Sequence, residues 1–466
     1  MRRVTRSVTR NQPIPGVPTV DIPPELISMI VDYLEDDRPS LKACSLVNNA
    51  WSQRARELLY REVFLGPPKP HIRCKQLRKV FQAHPRLAKG TRSLAVVERA
   101  KSVKTDFADG WLISSKEIAS LLPLFTSLEE IQIVGDPEYL NWGLVPVDTR
   151  EAFFDLFSRP HVKTIILDGI VNMQITPLVF LPHLEVLEIR QVEVYRGEED
   201  AFLPLNKPSR IDAGKVKGLR ALDVCDSPTA LDVFFKCLEV AGPDPRPDGS
   251  RAAVLDLQRL EELWLCTTKD EETYPGFETV AVATLKNCSN VTFYSLTLDH
   301  GFSPTVFEVN GFRNLTTFCI HFTIDMIHIW SWNDGEGGKI LEGLEALSEH
   351  PSPPPLQRFG LMIESMDPKE TGIDFDTHVR NSFVHRTVWL RHAAHALAKF
   401  PKLQSVYVML EVSATGTVLP PETWRDFVRE VEGQLSPITS GKSVTSLVMS
   451  QMQRGDDHWK RFVASN

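Results

Sequence analysis

The sequence predicts fold class α+α/β: three short N-terminal helices, then an α/β solenoid with parallel strands on its concave side and helices outside. Three observations predict it. Residues 21–65 carry apolar side chains at helical spacing, interrupted twice by helix-stop signals. A six-residue phrase, apolar-x-x-apolar-x-apolar, recurs eleven times between residues 91 and 449. Helical stretches fall between its copies, and strands separated by helices pair in parallel with the helices packed outside. With 466 residues the chain also exceeds the usual size of one compact core.

In the N-terminal stretch, Asp21 is placed to cap a first helix, and Pro23 and Pro24 suit its first turn, where a missing N–H is no loss. Leu26, Ile27, Ile30, Val31 and Leu34 follow at helical spacing until the run Glu-Asp-Asp-Arg-Pro breaks the helix. Ser40 is the expected cap of a second helix carrying Leu41, Cys44 and Val47. Asn48 or Asn49 opens a third, with Trp51, Ala55, Leu58 and Leu59 along one side. So small a unit, apolar on several faces, cannot bury all of its hydrophobic groups by itself. It is expected to dock on something, and the competing reading is an ordinary subdomain packed on its own chain.

This arrangement resembles the F-box. Ile22-Pro23, Glu25-Leu26, Ile30, Leu34, Leu41, Cys44, Val47 and Trp51 fall in order in the slots of that family's pattern. Ile22 stands where the family has Leu, and Asn48-Asn49-Ala50 where it often has Cys-Lys-Arg. The trailing ARELLYREVFL is similar to F-box proteins of mushroom-forming fungi. The resemblance implies docking on a Skp-family adaptor, and through it a cullin scaffold. Pro23, Leu26, Ile27, Ile30, Leu34, Leu41, Cys44, Val47 and Trp51 would supply the adaptor-binding surface, some of them holding the helices together instead. The chain would then be the substrate-recognition subunit of an SCF-type ubiquitin ligase; the alternative is a cullin-independent protein-interaction scaffold.

From residue 66 to 466 the phrase reads TRSLAV (91–96), LEEIQI (128–133), VKTIIL (162–167), LEVLEI (184–189), LRALDV (219–224) and LEELWL (260–265). It continues as FYSLTL (293–298), LTTFCI (315–320), LQRFGL (356–361), LQSVYV (403–408) and VTSLVM (444–449). Alternation over its last positions is the strand period, so each copy is a short strand with one buried face. Between copies, TREAFFDLF, KILEGLEALSEH, TVWLRHAAHALAKF and ETWRDFVREVEGQL have helical spacing, and Pro-rich runs such as PSPPP stiffen connections. The phrase resembles the strand signature of leucine-rich repeats. The Asn or Cys that should follow it is missing, and copies lie 22 to 47 residues apart. A degenerate, leucine-rich-repeat-like domain is expected; the competing reading is an α/β domain whose strands share a pattern.

If the fourth and sixth phrase positions are buried, the fifth and seventh face the concave side. The fifth-position row includes Glu188, Asp223, Trp264, Thr297 and Tyr407, and the seventh includes Asp168, Arg190, Cys225, Cys266 and Asp299. A catalytic pocket converges a few matched polar groups, whereas this row mixes acids with aromatic side chains of the kind enriched at binding hot spots. The row predicts target capture, with Trp264 and Tyr407 as anchors and Asp223, Glu188 and Arg190 beside them.

Other signals carry less. SPITSGKS (436–443) lacks the first glycine of a phosphate-binding loop and follows a helix where that loop needs a strand. His321, Asp325 and His328, and the pair His392 and His395, lack a third ligand at metal-site spacing. No catalytic constellation, metal site or cofactor is expected. A net charge of −8 argues against a chain-wide nucleic-acid footprint. Seven scattered cysteines without a Cys-x-x-Cys pair point to reduced thiols in the cytosol or nucleus. No apolar run long enough for a membrane span or a signal peptide appears. Residues 1–20, with arginines at 2, 3, 6 and 10, are expected to form a disordered basic tail.

Overall fold

The computed structural model describes residues 22–98, 110–135, 140–181, 183–194, 218–225, 227, 229–231, 233–234, 255, 257–267, 288–298, 312–323, 336–365, 388–412, 420–440 and 446–453. The expected cap Asp21, the basic tail 1–20, Asp325 and His328 lie outside them.

Three helices come first: α1 (Pro24–Asp32), α2 (Arg38–Cys44) and α3 (Asn49–Leu59). α1 starts with Pro24 at its first position, where proline's fixed φ is already helical. The cap of α2 differs from expectation. Asp37 is the N-cap, its Oδ1 accepting from Ser40 N at 3.2 Å, while Ser40 Oγ donates to Asp37 Oδ2 at 2.6 Å. Arg38-Pro39 fills the first turn, so the capping carboxylate must stand one residue before Arg38 and Ser40 falls inside the helix. α3 is capped by Asn48, whose side chain accepts from Ala50 N and Trp51 N. Ile27, Val31, Leu41 and Ala55 make a small core of their own, separate from the main one.

The rest of the described chain builds a parallel sheet of twelve strands in sequence order. They are β1 (Glu62–Leu65), β2 (Ser93–Val97), β3 (Glu130–Val134), β4 (Thr164–Met173), β5 (Val186–Val194) and β6 (Ala221–Cys225). β7 (Glu262–Thr267), β8 (Phe293–Leu298), β9 (Thr317–Thr323), β10 (Arg358–Ser365), β11 (Ser405–Val412) and β12 (Ser446–Gln453) complete it. Each strand pairs only with its sequence neighbours, which makes the domain an α/β solenoid.

One hydrogen-bond pattern repeats at each step from β1 to β11. The carbonyl of the residue in phrase position two accepts two N–H groups from the next strand. Arg61 O takes Arg92 N and Ser93 N, Arg92 O takes Glu129 N and Glu130 N, and the series runs to Gln357 O with Gln404 N and Ser405 N. The fourth and sixth positions are buried throughout the copies whose side chains are described, as Leu94 and Val96, Ile131 and Ile133, Ile165 and Leu167, Leu187 and Ile189 show. Thr91, which occupies an apolar slot, is buried with its hydroxyl donating to Leu87 O at 3.1 Å.

Two details correct the expected register. Trp264 pairs with Ser295 and Ser295 with Cys319, so the copy at β8 is VTFYSL (291–296), two residues earlier than FYSLTL. Ser295 and Thr297 therefore take the slots expected for Thr297 and Asp299. In addition, YREVFL (60–65) is a further copy, ending in β1, whose Val63 and Leu65 belong to the main core although they sit within the stretch 21–65.

Helices cover one side of the sheet. Among the described residues these include α4 (Pro70–Ala83), α5 (Pro85–Gly90), α6 (Trp111–Ser114), α7 (Glu117–Leu121), α8 (Val147–Phe157) and α9 (Thr176–Val179). α10 (Glu336–Glu349), α11 (Val388–Leu397), α12 (Pro421–Gln434) and α13 (Ser436–Ser440) follow. Their apolar sides, such as Phe153, Phe157, Leu344, Leu390, Phe427 and Val431, join the sheet's fourth- and sixth-position residues in one core. Ser227 carries a polar link between turns: its hydroxyl accepts from Val192 N at 2.9 Å and donates to Cys225 O at 2.7 Å.

Candidate functional site

Two surfaces bear on function: one side of the three-helix unit, and the helix-free face of the sheet, which is half-buried along Gln132, Ile166, Glu188, Asp223 and Trp264 and buried at Phe293, Ser295, Cys319, Gly360 and Met409.

On the first, the helical period splits α1 into two stripes. Ile27 and Val31 turn inward, and Leu34 packs partly against them. Leu26, Met29, Ile30 and Tyr33 turn out, with Tyr33 92% exposed. Leu46 and Val47, in the connection before α3, are exposed as well, Leu46 at 84%. Of the eleven large apolar side chains exposed among the described residues, seven lie between Ile22 and Val47. Isolated exposed apolar residues are ordinary, but a concentration like this marks an interaction surface. Two exposed ion pairs also join parts of the unit, Arg54 Nε to Asp32 Oδ1 at 2.6 Å and Arg61 Nη1 to Glu35 Oε2 at 3.2 Å, and contribute little to its stability. The Asp37 carboxyl lies below its ordinary pKa because the Ser40 hydroxyl and then the Ser40 N–H hydrogen-bond it.

The nine residues expected to bind an adaptor divide in three. Pro23, Leu26, Ile30 and Val47 are exposed; Leu34, Cys44 and Trp51 are half-buried; Ile27 and Leu41 are buried in the unit's own core. Sequence reasoning missed Met29, Tyr33 and Leu46. The signal for the first two was present: they continue the outer stripe at three- and four-residue steps from Leu26 and Ile30.

On the sheet, the register sets the fifth-position row as Gln132, Ile166, Glu188, Asp223, Trp264, Ser295, Cys319, Gly360 and Tyr407. Glu188, Arg190 and Asp223, predicted from separate strands, form one group. Arg190 Nη2 lies 2.6 Å from Asp223 Oδ2 and 2.7 Å from Glu188 Oε2. Asp168, which pairs with Arg190 in the ladder, faces the same guanidinium. Burial disfavours the Arg190 charge, but the carboxylates of Asp223, Glu188 and Asp168 outweigh it, and its pKa rises above the ordinary value. Trp264, next to Asp223 in the row, is half-buried with its ring tilted on Phe293 at 4.5 Å between centroids. Tyr407 is half-buried in the same row but four strands away, roughly 19 Å at ordinary strand spacing. The structure does not bring it to the cluster.

Chemically, this face offers charge, hydrogen-bond acceptors and an aromatic ring spread along a row. The segment SPITSGKS begins with α13, placing a helix where a phosphate loop would need a strand. Among the described residues, no group of three or more His, Cys, Asp or Glu is placed to hold a metal, and no helix is long and apolar enough to cross a membrane.

No protein-family model matches the chain, and no curated protein matches it by sequence. Among solved structures it is similar to an internalin from Listeria monocytogenes str. 4b F2365, at 10% identity over 82% of this chain and 90% of that one, with a TM-score of 0.28.

Proposed function

We propose that this chain is a substrate-recognition subunit of an SCF-type ubiquitin ligase. Helices α1 to α3 act as an F-box that docks on a Skp-family adaptor, and the leucine-rich-repeat-like array holds a target protein. One observation carries the reading: seven large apolar side chains stand exposed on a helical unit whose own core is already filled by Ile27, Val31, Leu41 and Ala55. A soluble partner that covers Leu26, Met29, Ile30, Leu46 and Val47 would remove this area from water, at roughly 25 cal/mol per Å². The chain does no covalent chemistry in this scheme. It raises the effective concentration of a bound protein near a ubiquitin-loaded enzyme.

The test is co-purification with the adaptor. Leu26→Glu combined with Val47→Glu should abolish it while leaving the fold intact, since both side chains are exposed. Retained binding in that variant would overturn the reading. An adaptor complex that never contains a cullin would leave an interaction scaffold in place of a ligase subunit. A deletion used for the same purpose has to stop before Glu62, because Glu62–Leu65 is the first strand of the sheet.

A further inference from the structure

Cys319 on β9 and Met409 on β11 are buried yet belong to neither core. The strand period explains this. Phe318, Ile320, Phe359, Leu361, Val406 and Val408 turn into the main core, so the alternate positions of β9 to β11 face the helix-free side. In the ladder His321 pairs with Met362, and Met362 with Met409. Three neighbouring strands, roughly 4.8 Å apart, thus bring an imidazole and two thioethers to one level. Cys319 stands two residues before His321 on the same face, and Gly360, its partner in β10, puts no side chain beside the thiol. His321 and Met362 are half-buried. His321 has other interactions, but its Nε2 is buried and takes part in no hydrogen bond. A buried ring nitrogen in that condition calls for an explanation.

Together the four side chains present one nitrogen and three sulfur donors. Glu364 and Glu411 come two residues later in β10 and β11, so the level itself offers soft ligands. Sulfur from thiolate and thioether, joined by imidazole, suits monovalent copper, whereas magnesium and calcium take carboxylate, carbonyl and water. We infer that Cys319, His321, Met362 and Met409 form a site for a copper(I) ion. With the thiol bound as thiolate and its proton released to solvent, a monovalent ion is neutralised one for one. A divalent ion would leave an uncompensated charge in a buried place. Only two of the four ligands are His or Cys, and thioethers supply the rest, which is consistent with the absence of a larger His, Cys, Asp or Glu group among the described residues. The four come from three copies of the phrase, so no ligand spacing in the sequence announced them. The site needs neither the adaptor nor a captured protein.

The experiment titrates the reduced full chain, without oxygen, into the copper(I) complex of bicinchoninate and follows loss of the chelate's colour. Expected are one tightly held ion per chain and a rise in melting temperature on loading. Methionine also serves as a filler of gaps. Leucine fills the same space and is well tolerated in its place, so Met362→Leu combined with Met409→Leu separates filler from ligand. That variant should weaken retention by at least the roughly tenfold that loss of an outer-shell partner costs, and His321→Gln should do the same. Cys225→Ser, which removes a half-buried thiol elsewhere, should leave retention unchanged. Zinc(II), whose usual ligands do not include thioether, should be held far more weakly. In selenomethionine-labelled protein, X-ray absorption at selenium should show a copper neighbour. Equal retention in the leucine variant overturns the inference, as does selenium without a copper neighbour or zinc held as tightly as copper. Loss of the ion in Cys225→Ser also overturns it, by making scattered thiols the ligands. Should His321→Gln not fold, the leucine variant and the selenium signal decide alone.

Discussion

Glu98 is a buried carboxylate outside both surfaces. It follows β2, is 2% exposed, and its two oxygens accept from Trp111 N at 2.8 Å and Leu112 N at 2.7 Å. It therefore pins the first turn of α6 to the end of a strand. Burial raises its pKa, and the N–H groups of Leu112 and Trp111 only partly offset that. An acid whose pKa is higher folded than unfolded binds more protons in the native state, so its contribution to stability is full below the unfolded pKa and is lost as pH rises through the folded one. Relative to Glu98→Gln, the natural protein should gain thermal stability on acidification from neutrality towards the ordinary glutamate range. Melting temperatures of the two proteins across that interval check it; parallel curves would deny the buried charge any cost. A second contrast lies within one turn of α1. Ile27→Ala removes a buried side chain and should destabilise the helical unit by about 2–5 kcal/mol, while Leu26→Ala, 48% exposed, should change stability far less. Hydrogen-exchange protection of α1 to α3 distinguishes the two.

At the scale of elements, the period-two alternation of each strand was legible, because burial on one face imposes it on every copy. What alternation cannot settle is a slip by two residues, which leaves the same face buried. That is why FYSLTL and VTFYSL both fit β8, and why the ladder through Thr292 O and Glu261 O was needed to choose. The choice has a measurable consequence. Tyr294 occupies a buried apolar slot, stacked on Phe318 at 5.5 Å and edge-on to Phe312 at 5.4 Å, so Tyr294→Ala should cost about 3–5 kcal/mol. In the slipped register Tyr294 would take position two at the strand entry, which is exposed or half-buried in the other copies, and the same change would cost far less in urea unfolding. β1 escaped notice for a different reason: YREVFL runs directly out of α3, and the helical spacing of Leu58 and Leu59 masks the start of a strand. The division of the first unit into inner Ile27 and outer Leu26 was not legible either, because neighbouring apolar positions on one short helix become distinct only once the other helices choose a side. On the sheet, the grouping of Glu188, Arg190 and Asp223 followed from their slots, whereas the ion pairs needed the register of β5 against β6.

Over the whole molecule, every strand leans only on the one before and the one after. Stability in such an array is a sum of unit and neighbour terms, and cooperativity weakens with length. Urea unfolding followed by far-ultraviolet circular dichroism and by tryptophan fluorescence should therefore give transitions that do not coincide; superimposable curves would mean that the array unfolds as one body. The separate core of α1 to α3 is expected to add its own transition.

The distance between successive phrases ranges from 22 residues (162 to 184) to 47 (356 to 403), yet the paired carbonyl at each step from β1 to β11 is the same. Outer excursions can lengthen, shorten or be exchanged without disturbing the inner rungs. Selection can consequently rewrite what the face displays one rung at a time, while the separate core of the first three helices stays untouched.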